Sequence, residues 1–215
     1  MERELARRVA ERYANASPAV RGYVAAKLRT DPVIGRLVAL GRQRHLGRVA
    51  DLGCGRGQLA VTLLEAGACS SVRGVDWDAK KLAAARAAAQ GLDGDLEVGD
   101  VRDWSIPPCD TVAIVDVLHY LREAEQDALL SRAAASASRA VFVRELDPDR
   151  GWRSALTRAQ EAVTTTLGYN AGERLVYRSI ATLRTLLEGY GFSVRVEPAW
   201  GSTPFANVLL VAWRP

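Results

Sequence analysis

The sequence predicts an α/β domain whose parallel sheet is covered by helices on both faces. Short β-like runs alternate with helical patterns from residue 48 onward. One run, Asp110–Val117 (DTVAIVDV), is apolar almost throughout, as a strand buried on both sheet faces is. Glycines cluster where the first run meets its helix, the usual place for a ligand loop in such sheets.

The first 44 residues read as a helical cap. Leu5, Val9 and Tyr13 recur at helical spacing, Asn15 to Pro18 breaks the pattern, and Val20 to Leu28 resumes it. Asp31-Pro32 then has the form of an N-cap followed by a first-turn proline, opening a helix through Leu40. Arg48–Leu52 is the first strand, followed by a helix with Leu59, Leu63 and Leu64 on one face. Ser71–Asp76 is the second, and Asp78–Gln90 is an Ala-rich helix capped by Asp78. Asp95–Val98 and Asp110–Val117 follow, then a helix over Glu123–Ala137 and a fifth strand, Ala140–Glu145. This alternation implies right-handed βαβ units.

The tail departs from that rhythm. Residues 150–178 read as an insertion with a helix over Trp152–Leu167. Ser179 caps a further helix carrying Ile180, Leu183, Leu186 and Leu187, which stops near Gly189–Gly191. Phe192–Glu197 and Asn207–Trp213 are spaced to pair as an antiparallel hairpin at the sheet edge.

Composition narrows the function classes. At 215 residues, with 48% apolar and 25% charged, the chain suits one soluble domain with a substantial core. No apolar run approaches the ~18–20 residues of a membrane span. The charged N-terminus (MERELARRVAERYAN) lacks the apolar stretch of a secretory signal. Cys54, Cys69 and Cys109 are too scattered for a redox pair or zinc site, which fits a reducing cytoplasm. The net charge of +4 is uneven: residues 1–48 hold eleven Lys/Arg against four Asp/Glu. Such a segment could meet a nucleic acid, an anionic membrane or an acidic substrate, or form a solvated helical face.

The sharpest signal is Ala50-Asp51-Leu52-Gly53-Cys54-Gly55-Arg56-Gly57. Glycines between strand and helix let the backbone turn sharply and approach a ligand. A dinucleotide fingerprint needs a small residue at position 58, where Gln58 stands. Three further acids fall at strand ends: Asp76 about twenty residues past the glycines, Asp100, and Asp116. Ligands of open parallel sheets bind at the carboxyl ends of strands, so all four acids should face one crevice.

These segments, VADLGCGRGQLA (49–60), GVDWD (74–78), GDVRDW (99–104) and DTVAIVDVLHYL (110–121), resemble those of class I S-adenosylmethionine-dependent methyltransferases. The resemblance covers roughly residues 45–215. It implies a Rossmann-like seven-stranded sheet in the order 3-2-1-4-5-7-6 with the last strand antiparallel. By the same resemblance Asp51 faces the donor's ammonium, and Gly53, Cys54 and Gly55 admit its methionine and ribose parts. Asp76 holds the ribose diol and Trp77 lies against the adenine. Asp100 and Val101 read the adenine edge, and Asp116, Val117 and Leu118 line the sulfonium region. The N-terminal region and tail faintly resemble methyltransferases of bacterial secondary-metabolite clusters, a lead toward a conjugated or aromatic acceptor.

Methyl transfer needs a base only when the acceptor must lose a proton. His119, after the fourth strand, is the candidate, although it could equally pack near the donor. Glu145 ends the fifth strand, and Asp147-Pro148-Asp149 after it reads as turn chemistry, so no metal is expected. Tyr13, Tyr23, Trp152, Tyr169, Tyr177, Trp200 and Phe205 are available to wall an acceptor site or to pack the cap, which suits a small, partly apolar acceptor. A nucleic-acid or protein methyltransferase is the first alternative, supported by the basic N-terminus. Against it, no Asn/Asp-Pro-Pro-Tyr loop follows the fourth strand. Lys27, Lys80 and Lys81 also cannot supply a Lys-Asp-Lys-Glu set. The others are a nicotinamide oxidoreductase, which Gln58 opposes, and a binding protein without turnover.

Overall fold

The computed structural model describes residues 2–148, 175–200 and 206–215. The helix predicted over Trp152–Leu167 and most of the 150–178 insertion lie outside the described residues, as do Tyr169 and Phe205.

Three helices fill the N-terminal segment: α1 (Arg3–Arg12), α2 (Pro18–Thr30) and α3 (Pro32–Gln43). The latter two each open on a proline behind a capping side chain. Ser17 accepts from the Val20 amide, and Asp31 from the Val33 amide at 3.0 Å. The alternating part follows as β1 (Arg48–Leu52), α4 (Gln58–Glu65), β2 (Ser71–Asp76), α5 (Ala79–Ala89), β3 (Gly94–Val98) and β4 (Cys109–Val115). A 3₁₀ turn (Leu118–Tyr120), α6 (Glu123–Ser136), β5 (Ala137–Leu146), α7 (Ile180–Gly189), β6 (Ser193–Pro198) and β7 (Asn207–Trp213) complete it. The sheet order is β3-β2-β1-β4-β5-β7-β6. The first five strands are parallel, and β7 runs antiparallel to both β5 and β6.

Strand alternation assigns each residue to one of two cores. Val49, Val72, Ala113, Phe142, Leu209 and Val211 face a cluster shared with α1 to α5. Leu52, Val112, Ile114, Val141, Val143 and Leu210 face the other, shared with α6 and α7. The N-terminal helices are thus part of one layer with α4 and α5, and Tyr13, which caps the end of α1, is buried in it. One element ends earlier than the sequence pattern suggests. The fourth strand stops at Val115, because Asp116 adopts φ 59°, the only positive φ of a non-glycine among the described residues. The extended run that reads through to Val117 is broken there by a left-handed residue.

Candidate active site

A cleft of about 540 Å³ opens at the carboxyl ends of β1, β2 and β4. Its floor is the glycine loop, in which Gly53, Gly55 and Gly57 all have positive φ. A side chain at Gly53 would meet Val117 at 2.4 Å, and one at Gly57 would meet Ala85 at 2.9 Å. At Gly55 the nearest atom would be the Asp76 carboxylate at 3.9 Å, so this glycine leaves room on its cleft side. Tyr13 steadies the loop from below, its hydroxyl donating to the Arg56 carbonyl at 2.7 Å.

Asp51, Asp76, Asp100 and Asp116 all line this cleft, in four different electrostatic settings. Asp51 is 2% exposed, and its Oδ2 has no hydrogen-bond partner among the described residues. Burial, with Asp76 nearby, pushes its carboxyl up to about 7. Asp76 accepts from the Gly55 amide at 2.8 Å and the Asp78 amide at 2.9 Å. A carboxylate has about four lone-pair sites, so two remain for hydroxyl donors. Asp100 is clasped by Arg102, whose guanidinium reaches it at 2.6 Å, and this hydrogen bonding holds its carboxyl below the usual range.

Asp116 belongs to a charge network that sequence reasoning missed. Its Oδ2 lies 2.7 Å from Arg144 Nη1 and 3.8 Å from Lys27 Nζ. Asp31 joins both cations, at 2.9 Å from Arg144 and 3.1 Å from Lys27. Burial works against charge on Asp31, yet Arg144 and Lys27 outweigh it and keep its carboxyl below the ordinary value. The signal available in the sequence was Arg144-Glu145 at the end of an otherwise apolar strand, since charges are not buried there without partners. The partners themselves lie 113 and 28 residues away and leave no local pattern.

Cys54, Trp77, Val101 and Val117 also line the cleft; Trp77 is 70% exposed, with Lys81 5.7 Å from its ring centre. Leu118 and His119 are not among its walls. His119 is buried, its Nδ1 2.8 Å from Glu145 Oε2. The other oxygen of Glu145 accepts from the Leu118 amide at 2.8 Å. Tyr120 and Tyr177 flank the imidazole, with ring centres at 4.3 and 5.4 Å. Val176 donates its amide to the His119 carbonyl at 2.9 Å, which ties the far end of the insertion to this turn. Of the aromatic residues available for an acceptor wall, Tyr23 lines the cleft, joined by Tyr120, Ile34 and Leu121. Trp200 packs against the second core cluster instead. Among the described residues no group of three or more His, Cys, Asp or Glu side chains is gathered as a metal site.

A doubly wound sheet in this order, with a glycine loop and acids at its strand ends, defines a Rossmann-like nucleoside-binding protein. Residues 49–138 match the family described as Methyltransferase domain. A trans-aconitate 2-methyltransferase from Mycolicibacterium gilvum (strain PYR-GCK) is 38% identical over 81 residues, 37% of this chain. The match spans 30% of that protein's length. The magnesium protoporphyrin IX methyltransferase of Synechocystis PCC 6803, solved with S-adenosylhomocysteine bound, aligns over 97% of this chain and 93% of its own. Its identity is 25% and the TM-score 0.69. A small RNA methyltransferase shares the fold at 16% identity and a TM-score of 0.66, over 85% of this chain and 25% of its own. Residues 49–138 thus carry the match to a methyltransferase domain, and the fold around them is that of S-adenosylmethionine-dependent methyltransferases of class I.

Proposed function

We propose that this protein transfers the methyl group of S-adenosylmethionine to a small, partly apolar acceptor. The observation that carries this reading is the buried, unpartnered Asp51 oxygen beside a glycine loop that leaves room for a ligand. It is an acceptor without a donor, at the place where a cationic amino group would supply one. Asp76 has free lone pairs for a ribose diol, and exposed Trp77 offers a face to the base. Gly53, Cys54, Gly55, Asp100, Val101, Asp116 and Val117 complete the donor site in this reading, with Leu118 buried behind it. Bound there, the donor supplies a methyl carbon on a sulfonium, open to in-line displacement.

The chain's own contribution is to hold the acceptor against that carbon, and positioning alone can supply a large part of the rate. Tyr23, Ile34, Tyr120 and Leu121 give an apolar, aromatic wall for the purpose. His119 is assigned as the base for acceptors that must lose a proton, with Glu145 at its Nδ1 to orient the ring. The relatives named for their acceptors, trans-aconitate and magnesium protoporphyrin IX, act on small molecules. A nucleic acid is disfavoured by the spending of N-terminal arginines inside the molecule. Arg8 and Arg12 pair with Glu65, Arg36 with Glu197 and Arg42 with Glu2.

Calorimetric titration with S-adenosylhomocysteine, with NADH run alongside, tests the donor assignment. Micromolar binding of the thioether and none of NADH is expected, and the reverse result would sink the reading.

A further inference from the structure

The cleft is electrically divided. At the ends of β1 and β2, Asp51 and Asp76 line it with no cation paired to either among the described residues. The side roofed by the N-terminal helices is the reverse. Tyr23 and Lys27 of α2, with Asp31 at its end, line the cleft at four-residue spacing and so share one helix face. Asp31 and Asp116 are the carboxylates of this side, and Arg144 and Lys27 already answer both. Arg56 adds another cation, its guanidinium carbon 4.7 Å from the Tyr23 ring centre. Its side chain makes no ion pair among the described residues, and its Nε is buried without a hydrogen-bond partner. Elsewhere on the wall Arg102 is clasped to Asp100, and Lys81 lies 3.6 Å from Asp78. Three cations against two carboxylates leave the α2 side with one positive charge over.

Lys27 keeps donors to spare. Burial opposes its charge, yet Asp116 and Asp31 outweigh burial and hold the ammonium above its ordinary value. Of its three N–H groups, one goes to Asp31 at 3.1 Å, whereas Asp116 at 3.8 Å lies beyond hydrogen-bond reach. Tyr23 stands beside both cations: Arg56 overlies its ring, and Lys27 follows it by one turn of α2. Although it lines the cleft, Tyr23 is 41% exposed, so part of its ring is left for a ligand. We propose that the methyl acceptor carries a carboxylate, bound by Arg56 and Lys27, with its apolar body packed on the open part of the Tyr23 ring.

The inference rests on the methyl-donor reading and narrows its acceptor. A single surplus charge matches a monoanion, and a planar guanidinium can hold a carboxylate through two parallel hydrogen bonds. Seating that guanidinium on an aromatic face fixes it in advance of the ligand. A donor that is cationic at sulfur is drawn to the acidic side and an anionic acceptor to the other, so the field sorts the two ligands.

The test titrates protein saturated with S-adenosylhomocysteine, by calorimetry, with matched acids and amides. The pairs are benzoate and benzamide, trans-cinnamate and trans-cinnamamide, and 1-naphthoate and 1-naphthamide. In at least one pair the acid should bind about 10–100-fold more tightly than its amide. Arg56→Gln should abolish that preference while leaving the S-adenosylhomocysteine and amide affinities as in wild type. Arg56→Lys should retain part of it. Lys27→Gln should also reduce it, and if that variant does not fold, Arg56→Gln decides alone. Wild-type protein with no acid preference in any pair overturns the inference. So does an Arg56→Gln protein that keeps the preference; if it loses S-adenosylhomocysteine affinity instead, Arg56 serves the donor. Failure of wild type to bind S-adenosylhomocysteine removes the methyl-donor reading itself, a result that the acid and amide comparison cannot produce.

Discussion

Asp51 concentrates the pH dependence of the site. Its carboxyl is raised to about 7, so near neutrality about half of the ligand-free molecules carry it protonated. An ammonium ligand binds the ionised form and drives the proton off. S-Adenosylhomocysteine affinity should therefore climb by up to about tenfold per pH unit below 7 and level off above it. Calorimetry in buffers of different ionisation enthalpy would register the released proton, and Asp51→Asn should flatten the profile. Stability moves oppositely. The folded-state value lies above the unfolded ~3.9, so the folded state holds the extra proton between about pH 4 and 7. The ligand-free protein should lose thermal stability as pH rises through that window, and Asp51→Asn should lose less. His119→Asn separates two roles: a slower turnover with unchanged S-adenosylhomocysteine affinity marks a base, whereas weakened affinity marks a wall of the donor site. The four acids were legible because residue type and strand-end position coincide for each. Arg56 was legible only as the residue between two glycines of the loop, since Tyr23, whose ring its guanidinium overlies, lies 33 positions earlier on α2.

Among the elements, the α2–α3 junction bears most on the site. Asp31 ends one helix, caps the next and pairs with Arg144, which is 6% exposed. Asp31→Ala removes the cap and one partner of a buried guanidinium together, and should cost about 2–4 kcal/mol, read as a lower thermal midpoint. Asp31→Asn keeps a capping oxygen and loses only the charge, so its midpoint should fall less. The sequence marked this junction through Asp-Pro, but the network reaching it from β4 and β5 left no trace there. The strands were legible with only end shifts because parallel strands buried on both faces must be apolar. The early end of β4 was not, because Val-Asp-Val reads as extended in either conformation. Only the tertiary pull of Arg144 and Lys27 on its carboxylate distinguishes them.

For the molecule as a whole, several cations of the N-terminal segment are paired with acids elsewhere in the chain: Arg8 and Arg12 with Glu65, Arg36 with Glu197 and Arg48 with Asp110. Duplex and transfer RNA should then bind no more tightly than non-specifically, roughly 10⁻⁴–10⁻⁶ M at physiological salt in a filter or anisotropy assay. A tighter, steeply salt-dependent complex would return the nucleic-acid alternative to the front. Helices α1 to α3 share one core with α4 and α5, so residues 45–215 expressed alone should lack a cooperative thermal transition. The end of β5 carries a last implication, for how such a chain can diverge. Arg144 points to the face of the charge network and Glu145 to the face of His119, one residue apart. Deleting a single residue between Ala137 and Val143 would exchange an acid for a base on both sides of the sheet at once. Length is therefore frozen up to Leu146, while additions after it leave both groups in place.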